Sequence, residues 1–588
     1  MERRQFMQTT ALATAAAASG VTRAQARRKP NVVLMMTDDM GWGDVTSHGN
    51  DVIDTPVLDR LAAEGTRFDR FSVSPVCAPT RAALLTGRDH LRTGTSWVTG
   101  GRETMRAEEL TIAEALGAAG YATGCFGKWH NGAHYPMHPN GQGFDEFVGF
   151  CAGHWNNYFD TLLEDNGEVF RSKGYISDVL TDAAIGFIDE HRNEPFFCYV
   201  PYNAPHGPFQ VPGEYLDKYT DRDCDALLAS VYGMCDNIDR NAGRVLARID
   251  ELGLAEDTIV IFLTDNGPNT ARYNGGMRGR KGSVHEGGVR VPFFMRWPGH
   301  IPSGKTVDRI AGHVDVMPTL MELCEVTAPD GPPMTGASVA PLLLGDGETW
   351  ADRSLFTHQS RNGQVFPAPG SIRTQQYRMA NEGKQGWQLF DMDTDPGEQS
   401  DIAADHPEVV QQLSREYDAW FADATAAGFD RIPVPVGHPE RAEVELQAPE
   451  AFFAGDVHFR GKKGWANDWI TGMESPNDYA WWDIDVVREG TYEITLMYHC
   501  PESDVGSTVQ VEIGEETVAA TVSEAFDPEP VPSPDRVERG EVYEYEWAPL
   551  TVGEVGLKPG RQELAVKATE IPGEAAMDLM SVRLRRVE

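Results

Sequence analysis

Residues 31–39 read NVVLMMTDD, an uninterrupted apolar run of strand length that ends in two carboxylates. A run without polar alternation suits a strand buried on both faces, as in a parallel sheet. Three later segments have the same design: YATGCFGKWH (121–130), PFFCYVPYNAPH (195–206) and TIVIFLTDNG (258–267). Helical patterns lie between them, such as TPVLDRLAAEG from Thr55, with proline at the first helical position. The alternation predicts an α/β sandwich around a parallel sheet.

Each of the four apolar runs ends in side chains that can carry chemistry. Ligands of such sheets bind beyond the carboxyl ends of the strands. We therefore expect one site to collect Asp38, Asp39, Lys128, His130, His206, Asp265 and Asn266. If the second strand continues through His130, Lys128 and His130 point to the same side. The carboxylate and amide oxygens favour calcium or magnesium over zinc, although such residues also end strands simply as turn formers.

The pattern changes after about residue 335. Short strand patterns and an amphipathic helical pattern at 406–428 predict a smaller α+β subdomain over 335–431, following an α/β domain over 27–334. The segment IPVPVGHPE (432–440) is interpreted as a proline-rich linker. Alternating segments beyond it predict a β-sandwich over 441–588.

Composition narrows the class of protein. The 588 residues include 51 Lys and Arg against 89 Asp and Glu, a net charge of −38, which argues against a nucleic-acid binder. No run after the N-terminus approaches the ~20 apolar residues of a membrane span. Residues 1–26 carry Arg3 and Arg4 before an alanine-rich run that ends in Ala24-Gln25-Ala26. This indicates a signal peptide of twin-arginine type and a periplasmic or secreted protein, with an ordinary amphipathic helix as the alternative.

Cysteine and basic residues mark two further segments. The eight cysteines form no C-x-x-C pair, so they indicate neither a disulfide framework nor a zinc site. Cys77, in SPVCAPTRAALLTGR (74–88), stands before a helical pattern and could be a buried small residue, half of a disulfide or a reactive group. The loop NGGMRGRKGSVHEGG (274–288) collects Arg278, Arg280 and Lys281, which could bind an anion or form a solvated loop.

The stretch CAPTRAALLTGR resembles the signature of the type I sulfatases, the formylglycine-dependent branch of the alkaline phosphatase superfamily. The resemblance spans roughly residues 30–430, and its blocks occur in the family's order: TDDMGWGD, CAPTRAALLTGR, GKWH, GFDEF, APHGPF, TDNG, RGRKGSVHEGGVRVP and LFDMDTDPGEQ. It implies that a formylglycine-generating enzyme oxidises Cys77 to formylglycine and recognises Pro79 and Arg81. One departure is local, since the family's GKWHLG reads GKWHNG at 127–132.

The resemblance also implies a metal site. Asp38, Asp39, Asp265 and Asn266 match the family's metal ligands, with residue 77 completing the shell. Calcium is the family's usual metal, and magnesium is the alternative.

The remaining roles follow from the same resemblance. Arg81 matches the residue that steadies the nucleophile and the metal ligands, and Lys128 and Lys281 match the cations on the sulfate oxygens. His130 matches the group that takes a proton from the hydrated aldehyde, and His206 matches the general acid on the leaving oxygen.

Export and an added sandwich similar to carbohydrate-binding domains favour a sulfated polysaccharide, or its fragments, as the substrate. Segments that vary in the family and select substrates contain His48, His134, His154, Trp155 and Asn156. Four tryptophans of the sandwich could stack on sugar rings, with core burial favoured for the last two: Trp465, Trp469, Trp481 and Trp482.

Two other functions stay open on the sequence. One is a phosphonate or phosphate monoester hydrolase of the same superfamily with the same formylglycine. The other is a polysaccharide-binding protein whose catalytic centre is vestigial. A comparison of turnover on sulfate and phosphate monoesters distinguishes the first alternative from a sulfatase. An unmodified thiol at Cys77 would favour the second alternative.

Overall fold

The computed structural model describes residues 29–345 and 350–587, so the predicted signal peptide at 1–26 lies outside the described residues. A ten-stranded sheet forms the centre of the first domain. Its five middle strands run parallel, and antiparallel neighbours flank them. In spatial order the strands are Lys305–Val307, Thr66–Phe68, Phe293–Arg296, Thr258–Thr264, Asn31–Thr37, Phe196–Pro201, Ala122–Lys128, Glu146–Phe150, Leu162–Asp165 and Glu168–Arg171.

Helices cover both faces of this sheet, as the continuous apolar runs predict. Along Asn31–Thr37, Val32 and Leu34 pack into one hydrophobic core and Val33 and Met35 into the other. The first core is closed by Cys77–Thr86, Ile112–Ala118, Val316–Leu323 and Ala340–Leu344. The second is closed by Pro56–Glu64, Ile176–Glu190, Gly213–Thr220 and Ala226–Glu251. The predicted α/β sandwich is confirmed.

A smaller α+β unit follows. Four antiparallel strands form its sheet, in the order Leu355–His358, Gly370–Arg373, Tyr377–Asn381 and Gln388–Asp391. The helix Pro407–Ala424 packs on them through Leu413, Tyr417 and Trp420.

Two sheets around one apolar core make up the C-terminal β-sandwich, and all but one of their strand pairs are antiparallel. The first contains Val434–Val436, Phe452–Ala454, Tyr479–Val486, Thr508–Ile513, Glu516–Thr521 and Gly560–Glu570. The second contains Glu443–Gln447, His458–Phe459, Ile470–Thr471, Gly490–His499, Ala548–Leu557 and Asp578–Arg586. Trp482 is fully buried and Trp469 nearly so, Trp481 is half-buried against Phe452, and Trp465 is exposed.

The segment 432–440 is not the free linker that its prolines suggest. Val434–Val436 pairs in parallel with Ile484–Val486 and so belongs to the sandwich. Proline is tolerated there because the strand lies at a sheet edge. Within the part of the chain that the structure describes, no helix is long and apolar enough to cross a membrane.

Candidate active site

Two neighbouring strand ends build the centre of the site. Thr37 pairs with Thr264 at the ends of their parallel strands, so the residues that follow each strand meet. The backbone N–H of Asp39 donates to Oδ1 of Asp265 at 3.2 Å, and the Asn266 amide donates to Oδ1 of Asp39 at 2.7 Å. These side chains and that of Asp38 have no exposed surface.

Cys77 is the first residue of the helix Cys77–Thr86. Its sulfur and carboxylate oxygens of Asp38 and Asp265 all lie within 4.8 Å of one another. Burial raises the pKa of the Cys77 thiol, against the charges of two nearby lysines that lower it. All eight cysteines lie in the described ranges and are unpaired, so Cys77 is not half of a disulfide.

Arg81, one helical turn after Cys77, reaches the same centre. Its Nε and Nη2 donate to Oδ2 of Asp265 at 3.2 and 2.8 Å, and its Nη1 donates to the carbonyl of Lys128 at 2.8 Å. The guanidinium is completely buried. It thereby ties the helix to the ends of two strands.

Two lysines face the carboxylates. Lys128 Nζ lies 2.6 Å from Oδ2 of Asp38, and Lys281 Nζ lies 2.6 Å from Oδ1 of Asp39. Burial acts to raise the pKa of Asp38, but the Lys128 ammonium and other nearby cations outweigh it and hold that pKa well below its usual range. The backbone N–H of Gly282 donates to the carbonyl of Pro75 at 2.8 Å, which anchors the lysine loop beside the cysteine loop.

The loop 274–288 does not bring its three cations together at one anion site. Arg278 lies over the ring of Phe390 at 5.9 Å, and Arg280 is exposed. Of these three residues, only Lys281 contacts a carboxylate of the site. The glycines allow sharp turns, with φ of 86° at Gly279, so successive side chains of the loop point in different directions.

His206 borders the site on the side of Asp39. Its Nδ1 pairs with the carbonyl of Gly207 at 2.8 Å, so this nitrogen carries a proton. Its Nε2 lies 3.8 Å from Oδ2 of Asp39 and faces the carboxylates. A protonated His206 would therefore present an N–H to a group bound there.

His130 does not continue the strand, which ends at Lys128. It adopts φ 63°, so strand alternation does not place the two side chains. Its Nε2 pairs with the carbonyl of Val98 at 2.9 Å, and its buried Nδ1 has no partner among the described residues. Burial, aided by the charge of Lys128, lowers its pKa well below the usual range, so the ring is neutral and the lone pair of Nδ1 is not used by any described residue.

The carboxylate centre has the properties of a cation site. Three buried oxygens of this centre lack a hydrogen-bond partner among the described residues, namely Asp38 Oδ1, Asp39 Oδ2 and Asn266 Oδ1. Burial, and after it the charge of Asp38, raises the pKa of Asp265, so a carboxylate at this position lacks full compensation of its charge. Unpartnered oxygens on crowded carboxylates fit a hard divalent cation, calcium or magnesium.

A buried ion pair behind the site was not found from the sequence. Arg272 donates to the Asp44 carboxylate through Nε at 2.8 Å and Nη2 at 2.6 Å, and Nη2 also donates to the carbonyl of Asp39 at 2.7 Å. Both side chains are almost wholly buried. Asp44 stands in the TDDMGWGD block, which was the only available signal, but nothing in sequence links it to Arg272.

The residues expected to select substrate separate into two groups. His48 stacks on Trp42 at 4.2 Å and Trp155 on Phe150 at 5.1 Å, so both serve packing. The others meet the C-terminal sandwich: His134 pairs with Glu450, Asn156 contacts Asn467 and Arg539, and His154 packs between His206 and Trp465.

Known protein families match most of the catalytic region. Residues 30–326 match the family described as Sulfatase, and residues 280–421 match the one described as N-sulphoglucosamine sulphohydrolase, C-terminal. The chain belongs to the sulfatase family. Both matches end before the C-terminal sandwich. The enzyme is thus a sulfatase with the alkaline-phosphatase-like fold of its relatives.

Individual relatives agree with this assignment. Human (Homo sapiens) arylsulfatase A is 34% identical over 439 residues, which cover 66% of this chain and 82% of that protein. N-acetylgalactosamine-6-sulfatase of Mus musculus is 31% identical over 421 residues, 65% of this chain and 78% of that protein. Among solved structures, Ps i-CgsB in complex with k-i-k-neocarrahexaose is similar to this sulfatase with a TM-score of 0.65 and 30% identity, covering 69% of this chain and 95% of that one.

Proposed function

We propose that this sulfatase removes sulfate from a sulfated carbohydrate, a polysaccharide or its oligosaccharide fragments, with a formylglycine at position 77 and a calcium ion. The single observation that carries the proposal is the position of Cys77 beside the carboxylates of Asp38 and Asp265. Oxygens of Asp38, Asp39 and Asn266 in this centre have no hydrogen-bond partner among the described residues, and Lys128 and Lys281 pair with Asp38 and Asp39. The carbohydrate class is supported by relatives whose names specify an N-acetylgalactosamine sulfate and a bound carrahexaose.

Asp38, Asp39, Asp265 and Asn266 would hold the metal with residue 77. Bound there, calcium would polarise the sulfate oxygens and acidify the hydroxyl groups at position 77. Arg81 keeps Asp265 in place through two charge-assisted hydrogen bonds.

When residue 77 is formylglycine, the hydrated aldehyde supplies one hydroxyl that attacks sulfur and a second whose deprotonation regenerates the aldehyde and releases sulfate. His130 accepts the proton through Nδ1, because Nε2 is held by Val98. Lys128 and Lys281 stabilise the charge that grows on the sulfate oxygens. His206 protonates the leaving sugar oxygen through Nε2, since Nδ1 is held by Gly207.

Maturation and export complete the proposal. A formylglycine-generating enzyme would convert Cys77, and residues 1–26 would direct the chain to the periplasm or the medium.

The experiment is mass spectrometry of the Cys77 peptide from protein made alongside a formylglycine-generating enzyme, followed by desulfation assays. We expect an aldehyde at residue 77, release of sulfate from sulfated oligosaccharides and much slower turnover of phosphate and phosphonate monoesters. Cys77→Ala should abolish turnover. Cys224→Ala, which changes a half-buried cysteine outside the site, is the matched control and should leave it unchanged.

Two outcomes would contradict the proposal. Faster turnover of phosphate or phosphonate esters would assign the enzyme to that branch of the superfamily. An unmodified thiol in active natively produced protein, or activity in Cys77→Ala, would refute the formylglycine mechanism.

A further inference from the structure

Two loops of the C-terminal sandwich reach the border of the catalytic site. In the loop 460–468, Asn467 Nδ2 lies 3.4 Å from the carbonyl of His154 and 3.3 Å from Oδ1 of Asn156. In the connection 522–547, Arg539 Nη1 donates to the carbonyl of Asn156 at 2.7 Å. A connection of that length without regular structure is uncommon unless it has a function. The sandwich is therefore docked beside His206, not held at a distance on a tether.

Two aromatic rings follow His206 outward from the catalytic site. The ring of His154 is nearly parallel to that of His206, with centroids 5.8 Å apart, and the ring of Trp465 is nearly perpendicular to that of His154, with centroids 6.2 Å apart. Trp465 keeps 36% of its surface exposed. The ammonium of Lys463 lies 3.8 Å from the centroid of Trp465, so this exposed ring carries a cation beside it.

One nitrogen of the His154 ring is buried without a hydrogen-bond partner. It is 6% exposed, and its buried Nε2 has no hydrogen-bond partner within the part of the chain that the structure describes. An unpartnered polar atom at a buried position is costly unless a ligand or water supplies the bond.

The surrounding loop is built to hold these side chains in place. The Asp468 carboxylate accepts from the backbone N–H groups of Gly461, Gly464 and Trp469 at 2.9, 3.2 and 3.0 Å. Thr99 of the catalytic domain donates to the carbonyl of Gly464 at 2.5 Å. Such a fixed turn lowers the entropy that binding would otherwise have to overcome.

The charge of the loop is opposite to that of the whole chain. Residues 460–463 read RGKK in a protein of net charge −38, so this loop presents cations to an anionic group, whereas the neighbouring connection 522–547 carries eight acidic residues and two arginines. Because His206 is proposed to face the leaving sugar, the next sugar of the same substrate would lie on the side of His154 and Trp465.

We propose that Trp465, Lys463 and His154 form a saccharide subsite beside the sulfated sugar. Trp465 stacks on the neighbouring ring, Lys463 binds a second anionic group on the glycan, and His154 Nε2 bonds a sugar hydroxyl. The C-terminal sandwich would thus determine substrate length and charge pattern. This inference rests on the proposed carbohydrate substrate.

The test compares Trp465→Ala, Trp465→Phe and Lys463→Met with wild-type enzyme. Substrates are a carrageenan hexasaccharide, a chondroitin 6-sulfate hexasaccharide and 4-nitrophenyl sulfate. Loss of a well-placed aromatic contact corresponds to a roughly 10-fold change. We expect Trp465→Ala to raise KM on a hexasaccharide roughly 10-fold, with kcat and aryl sulfate hydrolysis within about twofold of wild type. Trp465→Phe should keep most of the affinity, and Lys463→Met should lose affinity for both multiply sulfated hexasaccharides but hydrolyse 4-nitrophenyl sulfate like wild type.

Binding without turnover gives a second readout. In the Cys77→Ala background, titration calorimetry with the same hexasaccharides should show weaker binding after Trp465→Ala. Trp481→Ala, in the same domain but stacked on Phe452, is the matched control and should bind like the parent.

The outcomes separate this inference from the proposed function. If wild-type enzyme desulfates a hexasaccharide and the Trp465 and Lys463 variants match it in KM and affinity, the subsite is refuted and the proposed function stands. If wild-type enzyme hydrolyses 4-nitrophenyl sulfate but neither binds nor desulfates either hexasaccharide, both the subsite and the carbohydrate substrate are refuted.

Discussion

Replacement of Asp44 by asparagine tests whether the ion pair behind the site positions the metal ligands. The substitution preserves the size of the side chain but leaves the guanidinium of Arg272 buried without its counter-charge. Stranding one partner of a buried pair costs about 3–5 kcal/mol. The carboxylate also accepts from the backbone N–H of Gly41 at 2.7 Å, so the turn after Asp39 loosens together with the pair.

The effect on metal binding follows from the second bond that Arg272 makes. Its Nη2 donates to the backbone carbonyl of Asp39 at 2.7 Å, and the side chain of Asp39 is a proposed metal ligand. Removal of groups that orient metal ligands typically weakens metal affinity about 10–100-fold. We expect Asp44→Asn to raise the calcium dissociation constant of chelated and reloaded enzyme by a factor in that range.

Two measurements separate stability from positioning. Amide hydrogen exchange of peptides covering residues 39–48, with metal chelated, reports the free energy of local opening, and titration calorimetry reports calcium affinity. The double variant Asp44→Leu/Arg272→Met removes both charges of the buried pair and should regain part of the stability, yet still bind calcium weakly because the Asp39 carbonyl has lost its donor.

The matched control is Asp352→Asn. It makes the same change in an exposed pair, in which Asp352 lies 2.7 Å from Arg309 and is 79% exposed, so it should cost no more than about 1 kcal/mol. Wild-type calcium affinity in Asp44→Asn would refute the positioning role. A loss of stability no larger than that of Asp352→Asn would refute the whole argument about the buried pair.

Three further predictions address the metal, the general acid and the sandwich. Chelation should abolish activity, and calcium should restore it better than zinc because the ligands are oxygens. Asp265→Ala should behave like the chelated enzyme, and a metal-free enzyme that stays active would contradict both expectations. His206→Ala should slow the chemical step on a sugar sulfate by about 10²–10⁴ but spare an activated aryl sulfate, whose leaving group needs no proton; equal losses in single-turnover kinetics would assign His206 to binding and make Lys281 the next candidate. Trp482→Ala should destabilise the sandwich by about 3–5 kcal/mol, because Trp482 is fully buried and donates to the carbonyl of Gln447 at 2.8 Å; a denaturant midpoint like that of wild type would contradict the assigned core position.

The class of fold and the members of the candidate centre could be predicted from the sequence alone. Doubly buried strands need apolar residues at every position, so NVVLMMT and TIVIFLT indicate a covered parallel sheet without any knowledge of neighbours. Because parallel strands end at one edge, their polar ends could be grouped before a contact was known. The opposite faces of Val32 and Val33 are likewise a local property of strand geometry.

Tertiary structure decided what depends on contacts between distant segments. Arg278, Arg280 and Lys281 are alike in sequence, yet only Lys281 reaches a site carboxylate, because glycine turns orient each side chain separately. The pairing of Asp44 with Arg272, the strand within 432–440 and the docking of Trp465 beside His154 join residues from separate elements. The hydrophobic periodicity of a segment predicts which of its side chains are buried. It does not predict which residue of another segment each side chain contacts, because that depends on how the elements pack together.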